Sequence, residues 1–317
     1  MKIKKTPNDF LVEEIPLRDW EQEGKYFVYQ ATKTDLTTHE MIKRLANDNQ
    51  LSPKQLRYAG AKDRRAKTTQ YITSPQKIVS KDPATTLQHV GYTDEPLRLG
   101  ELQANKFTLH VYDVQEVRDV HIPNYFGEQR FSQENVQIGV QLLQGDFLTA
   151  ANTLREQYRV IDEHLQEKPK DAVSALRQAP LKILLLYVHS VQSYLYNQAV
   201  SSYVQNNYKE YAEVTYSQGV LRYPHEELPD KQVPLVGAVN ALGEWEKYYQ
   251  PLLEELGLTQ RNFLVRAFPQ LTQEGVDRSL RADIQEQDIQ LEETTARVQL
   301  TLGPGCYATI ALKGLLR

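Results

Sequence analysis

The residues best suited to chemistry lie in residues 54–67. Six Lys or Arg side chains surround a single acid there, Asp63. Neighbouring cations favour the ionised form of a carboxylate, and the same charges draw a polyanion towards it. A nucleophile or base that works on a nucleic acid needs both. A solvated basic turn with one surface acid shows the same pattern and, on charge alone, is the commoner case. A second stretch, residues 122–131, is dense in aromatic and amide side chains and is neither helical nor alternating. Loops of that kind often carry function on a rigid scaffold. Its other reading is a packed turn plugged by Tyr125 and Phe126. A third feature is Gly303-Pro304-Gly305, followed by Cys306 and Tyr307.

Other chemistries find little support. The Gly-Pro-Gly run reads as a hairpin turn that does not lead into a helix, so it is no phosphate loop. The seven His show no metal-ligand spacing, and one cysteine cannot build a cysteine-rich zinc site or an intramolecular disulfide. No Gly-x-Ser-x-Gly elbow occurs. Glu13-Glu14, Glu226-Glu227 and Glu292-Glu293 are adjacent pairs, which in a strand face opposite sides; they read as solvated charge. Cys306 has no basic neighbour in sequence and reads as structural.

The elements that must position these residues follow from periodicity. Residues 10–15 and 25–32 read as strands, and Thr37 or Thr38 caps a helix carrying Met41, Ile42, Leu45 and Ala46. Ser52-Pro53 opens a short helix. Residues 58–61 and 70–73 read as strands flanking a loop, which puts Asp63 at a strand end. Residues 97–100 and 106–114 are further strands, and helices are expected over 136–143, 147–158, 181–203, 244–256 and 272–281. Residues 297–302 and 306–312 read as a closing hairpin. A strand-rich start, a helical middle and returning strands predict a helical block inserted into one sheet domain. The expected division is residues 1–150 with 281–317, and 151–280.

The 317 residues, 40% hydrophobic and 25% charged, are those of a globular chain. A net charge of −4 disfavours a histone-like binder but leaves room for a local basic cleft. No signal peptide and no long apolar run are evident, so the chain reads as cytoplasmic, away from membranes.

Several stretches together resemble the TruD family of tRNA pseudouridine synthases. Residues 5–14, KTPNDFLVEE, look like the opening Pro-Glu-Asp-Phe-x-Val-x-Glu. Gly60-Ala61-Lys62-Asp63-Arg64 looks like Gly-x-Lys-Asp-(Lys/Arg). Residues 123–131, PNYFGEQRF, match Pro-Asn-Tyr-Phe-Gly-x-Gln-Arg-Phe, and residues 302–309, LGPGCYAT, are similar to Leu-Pro-x-Gly-Ser-(Phe/Tyr)-Ala-Thr. Gln192-Ser193 and Asn197 fit a helix motif of the family. Departures are Ala61 in place of a longer residue, Ser132 for Gly, Asn105 without a preceding Gly, Tyr112 for Arg, and a short helical block.

The resemblance implies an α+β pseudouridine synthase domain, with a mixed, largely antiparallel sheet flanked by helices, plus a mainly helical TruD-type insertion. It implies uridine isomerisation, at position 13 of tRNA, with Asp63 as the essential carboxylate acting on the ribose after the base flips out. Phe10, Asn124, Phe126 and Tyr307 are the implied substrate residues, with Phe126 as stacking face and Asn124 as polar contact. Lys62, Arg64, Arg65 and Lys67 are expected on phosphates, and Arg130 is a candidate partner of Asp63. No metal or organic cofactor and no obligate protein partner are implied; the partner is tRNA or another structured RNA. The alternative is a catalytically inactive RNA-binding protein of the same fold.

Overall fold

The computed structural model describes residues 1–132 and 134–317. The chain forms two compact units. The first comprises Met1–Arg118, Asp283–Ala308 and Leu315–Arg317, and the second Asp119–Ala282 and Thr309–Gly314. The division falls earlier than expected, because the 122–131 loop and the helix after it pack within the second unit.

The first unit is built on β1 (Lys2–Ile3), β2 (Phe10–Pro16), β3 (Tyr26–Thr34), α1 (Thr38–Asp48), β4 (Arg57–Tyr58), β5 (Lys67–Ser74), β6 (Thr85–Thr93) and β7 (Leu102–Tyr112). Two later strands, β12 (Ile284–Glu292) and β13 (Thr295–Leu302), complete it. The sheet order is β12-β13-β7-β2-β5-β3-β6, with β1 on β7 and β4 on β5. Among the described residues, β2 with β5 is the one parallel pairing of this sheet. Strand β13 pairs with β7 from Thr295↔Tyr112 to Leu302↔Asn105, so the chain does return to the sheet that it left.

Helix α1 forms because Thr37 caps it, in a box closed by Glu40. Its Met41, Ile42, Leu45 and Ala46 lie on one face and pack on Tyr29, Ala31 and Ile72 of the sheet. Truncating Leu45 to Ala in that position costs about 2–5 kcal/mol.

The second unit holds α2 (Asn135–Gln144), α3 (Phe147–Leu154), α4 (Arg159–Glu167), α5 (Ala172–Arg177), α6 (Leu181–Asn207) and α7 (Glu246–Glu255). It also carries the hairpin β8 (Tyr211–Tyr216) to β9 (Gly219–Pro224), and β10 (Gln232–Pro234) paired with β11 (Asp277–Ser279). The long α6 is buried on most of its faces. Helix α2 approaches it closely at Gly139, where an added Cβ would fall 2.2 Å from the Tyr187 carbonyl oxygen.

Several expected elements change; the strand expected over 58–61 is only Arg57–Tyr58. Residues 306–312 are not a strand; α8 (Ala308–Leu315) occupies most of them, so Gly303-Pro304-Gly305 leads towards a helix after all. The sheet's closing hairpin is instead β12–β13. Residues 272–281 are extended rather than helical, because Gly275 turns the chain at φ 92° before β11 pairs with β10. Residues 97–100 are not a strand: a turn at 99–100 is closed by the Glu101 N–H on the Arg98 carbonyl at 3.1 Å, and the Gly100 N–H ties it to the Ala59 carbonyl at 2.7 Å. Glu14 is no solvated charge: it is buried, pairs with Lys62 and accepts the Tyr71 N–H at 3.2 Å.

Candidate active site

Asp63 sits between β4 and β5 in a loop held from several sides. Its Oδ2 lies 2.5 Å from Lys4 Nζ. The Lys4 ammonium also stands over the Phe10 ring, 3.9 Å from the centroid. Lys4 adopts φ 60°, the left-handed region that non-glycine residues seldom occupy. The next turn is anchored too: Asp9 accepts the Thr6 N–H at 2.6 Å and the Tyr112 hydroxyl at 2.9 Å. Burial opposes ionisation of Asp9, but those hydrogen bonds outweigh it and leave its carboxyl below the usual range. Tyr112, which stands where the family has Arg, thus braces Asp9 by a hydroxyl.

The backbone of the Asp63 loop is tied down by side chains. Lys33 is buried, and its Nζ donates to the Asp63 carbonyl at 2.7 Å and the Leu36 carbonyl at 2.5 Å. Burial lowers its amine to about 8, partly offset by Asp63 and Glu40 and deepened by Lys62. Thr38 Oγ1 accepts the Lys62 N–H at 2.9 Å and donates to Gln70 Oε1 at 2.8 Å, and Gln70 Nε2 donates to the Gly60 carbonyl at 3.2 Å. The carboxylate therefore stands on a backbone fixed by strand β3, helix α1 and strand β5. Preorganisation of this kind is what a reacting carboxylate needs.

In the second unit the residues 124–126 are held with similar economy. Tyr125 is fully buried, and its hydroxyl donates to the Arg222 carbonyl at 2.8 Å. Asn197, from α6, brackets Phe126: its Oδ1 accepts the Phe126 N–H at 2.8 Å and its Nδ2 donates to the Phe126 carbonyl at 3.0 Å. Arg278 on β11 donates from Nε to the Asn124 carbonyl at 2.8 Å and from Nη2 to Asn124 Oδ1 at 2.6 Å. Its guanidinium lies over the Phe126 ring, 4.1 Å from the centroid, and Tyr196 meets that ring edge-on at 5.4 Å. A cavity of about 440 Å³ opens beside Phe126 and Arg130, walled further by His189, Gln192, Gln273 and Val276. Burial, then the Arg130 charge, lowers the His189 imidazole below its ordinary value against its hydrogen bond to Gln273.

The expected site residues thus fall into two groups. Asp63, Phe10, Lys62, Arg64, Arg65, Lys67 and Tyr307 belong to the first unit; Asn124, Phe126 and Arg130 belong to the second. Arg64, Arg65 and Lys67 are exposed, as phosphate contacts must be. Lys62 differs: its side chain is 6% exposed and committed to Glu14, so its ammonium serves the protein interior instead of a phosphate. Phe10 is 2% exposed and backs Lys4. Phe126 is 7% exposed, and the Arg278 guanidinium stands over its ring. Tyr307 is half-buried just before α8. Arg130 ends a short helical turn, Glu128–Arg130, with its guanidinium 5.8 Å from the Phe126 centroid.

Lys4, Lys33 and Arg278 were not legible as site residues. Lys4 is a lone cation in a basic N-terminus, Lys33 sits in a strand, and Arg278 falls in a stretch with a helical reading.

A lone carboxylate in a basic loop on a mixed, largely antiparallel sheet, with a helical second unit, is the arrangement of a pseudouridine synthase of TruD type. The profile of the family described as tRNA pseudouridine synthase D (TruD) matches residues 1–159, 153–215 and 228–315. The chain belongs to that family. A tRNA pseudouridine synthase D of Aquifex aeolicus is 27% identical, with 99% of this chain and 98% of that one covered. A relative of the same name from Syntrophotalea carbinolica is 26% identical, with 99% and 96% covered. A solved structure from Methanosarcina mazei, assigned as a TruD protein, superposes with a TM-score of 0.72 at 22% identity, covering 99% of this chain and 93% of that one. That likeness speaks for the fold.

Proposed function

We propose that this protein isomerises a uridine of tRNA, at position 13, to pseudouridine in the cytoplasm, with Asp63 as the reacting carboxylate. The observation that carries the assignment to Asp63 is its setting. It is an acid paired to Lys4 at 2.5 Å on a loop whose backbone is held by Lys33, Thr38 and Gln70. An ammonium at that distance stabilises the carboxylate charge.

The reaction breaks the bond from ribose C1′ to N1 and forms one from C1′ to C5. The proton on C5 is lost and N1 gains one, so nothing is consumed. A single ionised carboxylate serves either route to bond cleavage, attack at C1′ or removal of the C2′ proton. A glycoside hydrolase normally uses two carboxylates instead. The uridine leaves its stack to reach the carboxylate. Arg64, Arg65 and Lys67 supply phosphate contacts, Tyr307 flanks the substrate, and Asn124 meets the base edge beside Phe126. Arg130 is a further cation for the flipped nucleotide or for Asp63.

Incubation of an unmodified tRNA transcript with the protein, followed by pseudouridine mapping, tests this reading. Pseudouridine at position 13 is expected. RNA binding without any pseudouridine would instead identify an inactive RNA-binding protein of the same fold.

A further inference from the structure

We infer that Arg278 is a positioning residue that sets the side-chain amide of Asn124 as a hydrogen-bond donor to a uracil carbonyl. The inference rests on the reading of Asn124 as a substrate residue. A guanidinium only donates, so the Asn124 atom 2.6 Å from Arg278 Nη2 must be the oxygen. The Arg278 Nε bond to the Asn124 carbonyl at 2.8 Å makes the grip two-pronged, and stacking at 4.1 Å on Phe126 fixes the plane of the guanidinium. The amide has one remaining polar group, Nδ2, which donates to nothing among the described residues. Asn124 is 7% exposed, so an unmet donor there is costly to leave without a partner.

A donor-only amide has a definite chemical preference. Uracil carries carbonyls at C2 and C4 on either side of N3. Turning the ring by half a revolution about the N3–C6 line exchanges those carbonyls and exchanges N1 with C5. That exchange is the net result of the isomerisation. A donor aimed at one carbonyl position therefore finds a carbonyl before and after the turn. Cytosine lacks this symmetry, because an amino donor replaces one carbonyl. Buried polar groups left facing like partners are what makes such a site selective. Arg278 thus acts on specificity and on turnover through Asn124.

The test is single-turnover pseudouridine formation, with tRNA affinity measured alongside, for wild type, Arg278→Ala and the near-isosteric Asn124→Asp. Asp keeps both acceptors for Arg278 but replaces the donor by a carboxylate oxygen. For each variant a rate about ten- to a hundredfold lower is expected, with affinity within about twofold of wild type. Millimolar guanidinium should restore part of the Arg278→Ala rate and none of the Asn124→Asp rate. An Arg278→Ala variant that loses affinity and salt dependence together would make Arg278 a phosphate contact and overturn the inference. So would an Asn124→Asp enzyme of wild-type rate, which also serves should Arg278→Ala not fold. Wild-type protein that makes no pseudouridine fails the functional reading itself, and the inference falls with it.

Discussion

At Asp63 two lysines divide the work. Lys4 meets the carboxylate and Lys33 meets its backbone carbonyl. Lys4→Met is expected to lower kcat about ten- to a hundredfold while tRNA affinity changes less than about twofold, since one charged hydrogen bond is removed at the reacting group. Equal losses in both would make Lys4 an RNA contact. Lys33 is tested through pH. Its folded amine lies at about 8 against 10.5 for an ordinary lysine. Below pH 8 both states hold the proton and the cost of burying the charge is constant. Above 8 the unfolded chain holds more protons than the folded one, so stability rises with pH. Urea denaturation should therefore show wild type gaining on Lys33→Met by about 1.4 kcal/mol per pH unit above 8. A gap that stays flat from pH 7 to 9.5 would contradict a buried ammonium there.

At the scale of elements, the Asp63 loop depends on α1 as much as on its own sequence. Thr38→Val keeps the shape but leaves the Lys62 N–H and Gln70 Oε1 without their hydroxyl. A loss of about 1–3 kcal/mol in denaturation is expected, with a larger fall in pseudouridine formation than in tRNA binding. Unchanged stability and rate would show that the loop stands without α1. The elements with strong periodicity were legible in sequence: α1, α6, α7 and the strands β2, β3, β5 and β13. The misread ones have physical reasons. Residues 306–312 form a short apolar run, and such a run fits a buried helix turn as well as a strand. Over 272–281 the helical reading passes over Gly275, whose φ of 92° breaks a helix. The hairpin β8–β9 turns at Ser217-Gln218, which lacks the Asn-Gly or Asp-Gly signal. Asp63 stood out because its charge contrast is local in sequence. Lys4, Thr38 and Arg278 did not, because their partners lie 59, 24 and 154 residues away.

For the whole molecule, a net charge of −4 means that RNA must be held by local clusters rather than by overall attraction. The exposed Arg64, Arg65 and Lys67 are the cluster proposed for this. Their joint replacement by Ala should reduce the slope of log affinity against log salt by about one for each phosphate that no longer meets a cation. An unchanged slope would place the phosphates elsewhere. The proposed reaction turns on one carboxylate, Asp63. The decisive measurement is the pseudouridine formed in an unmodified tRNA transcript by wild type and by Asp63→Asn. Product is expected with wild type and none with Asp63→Asn, at nearly equal tRNA affinity. Product from Asp63→Asn at a rate near that of wild type would rule out Asp63 as the reacting group.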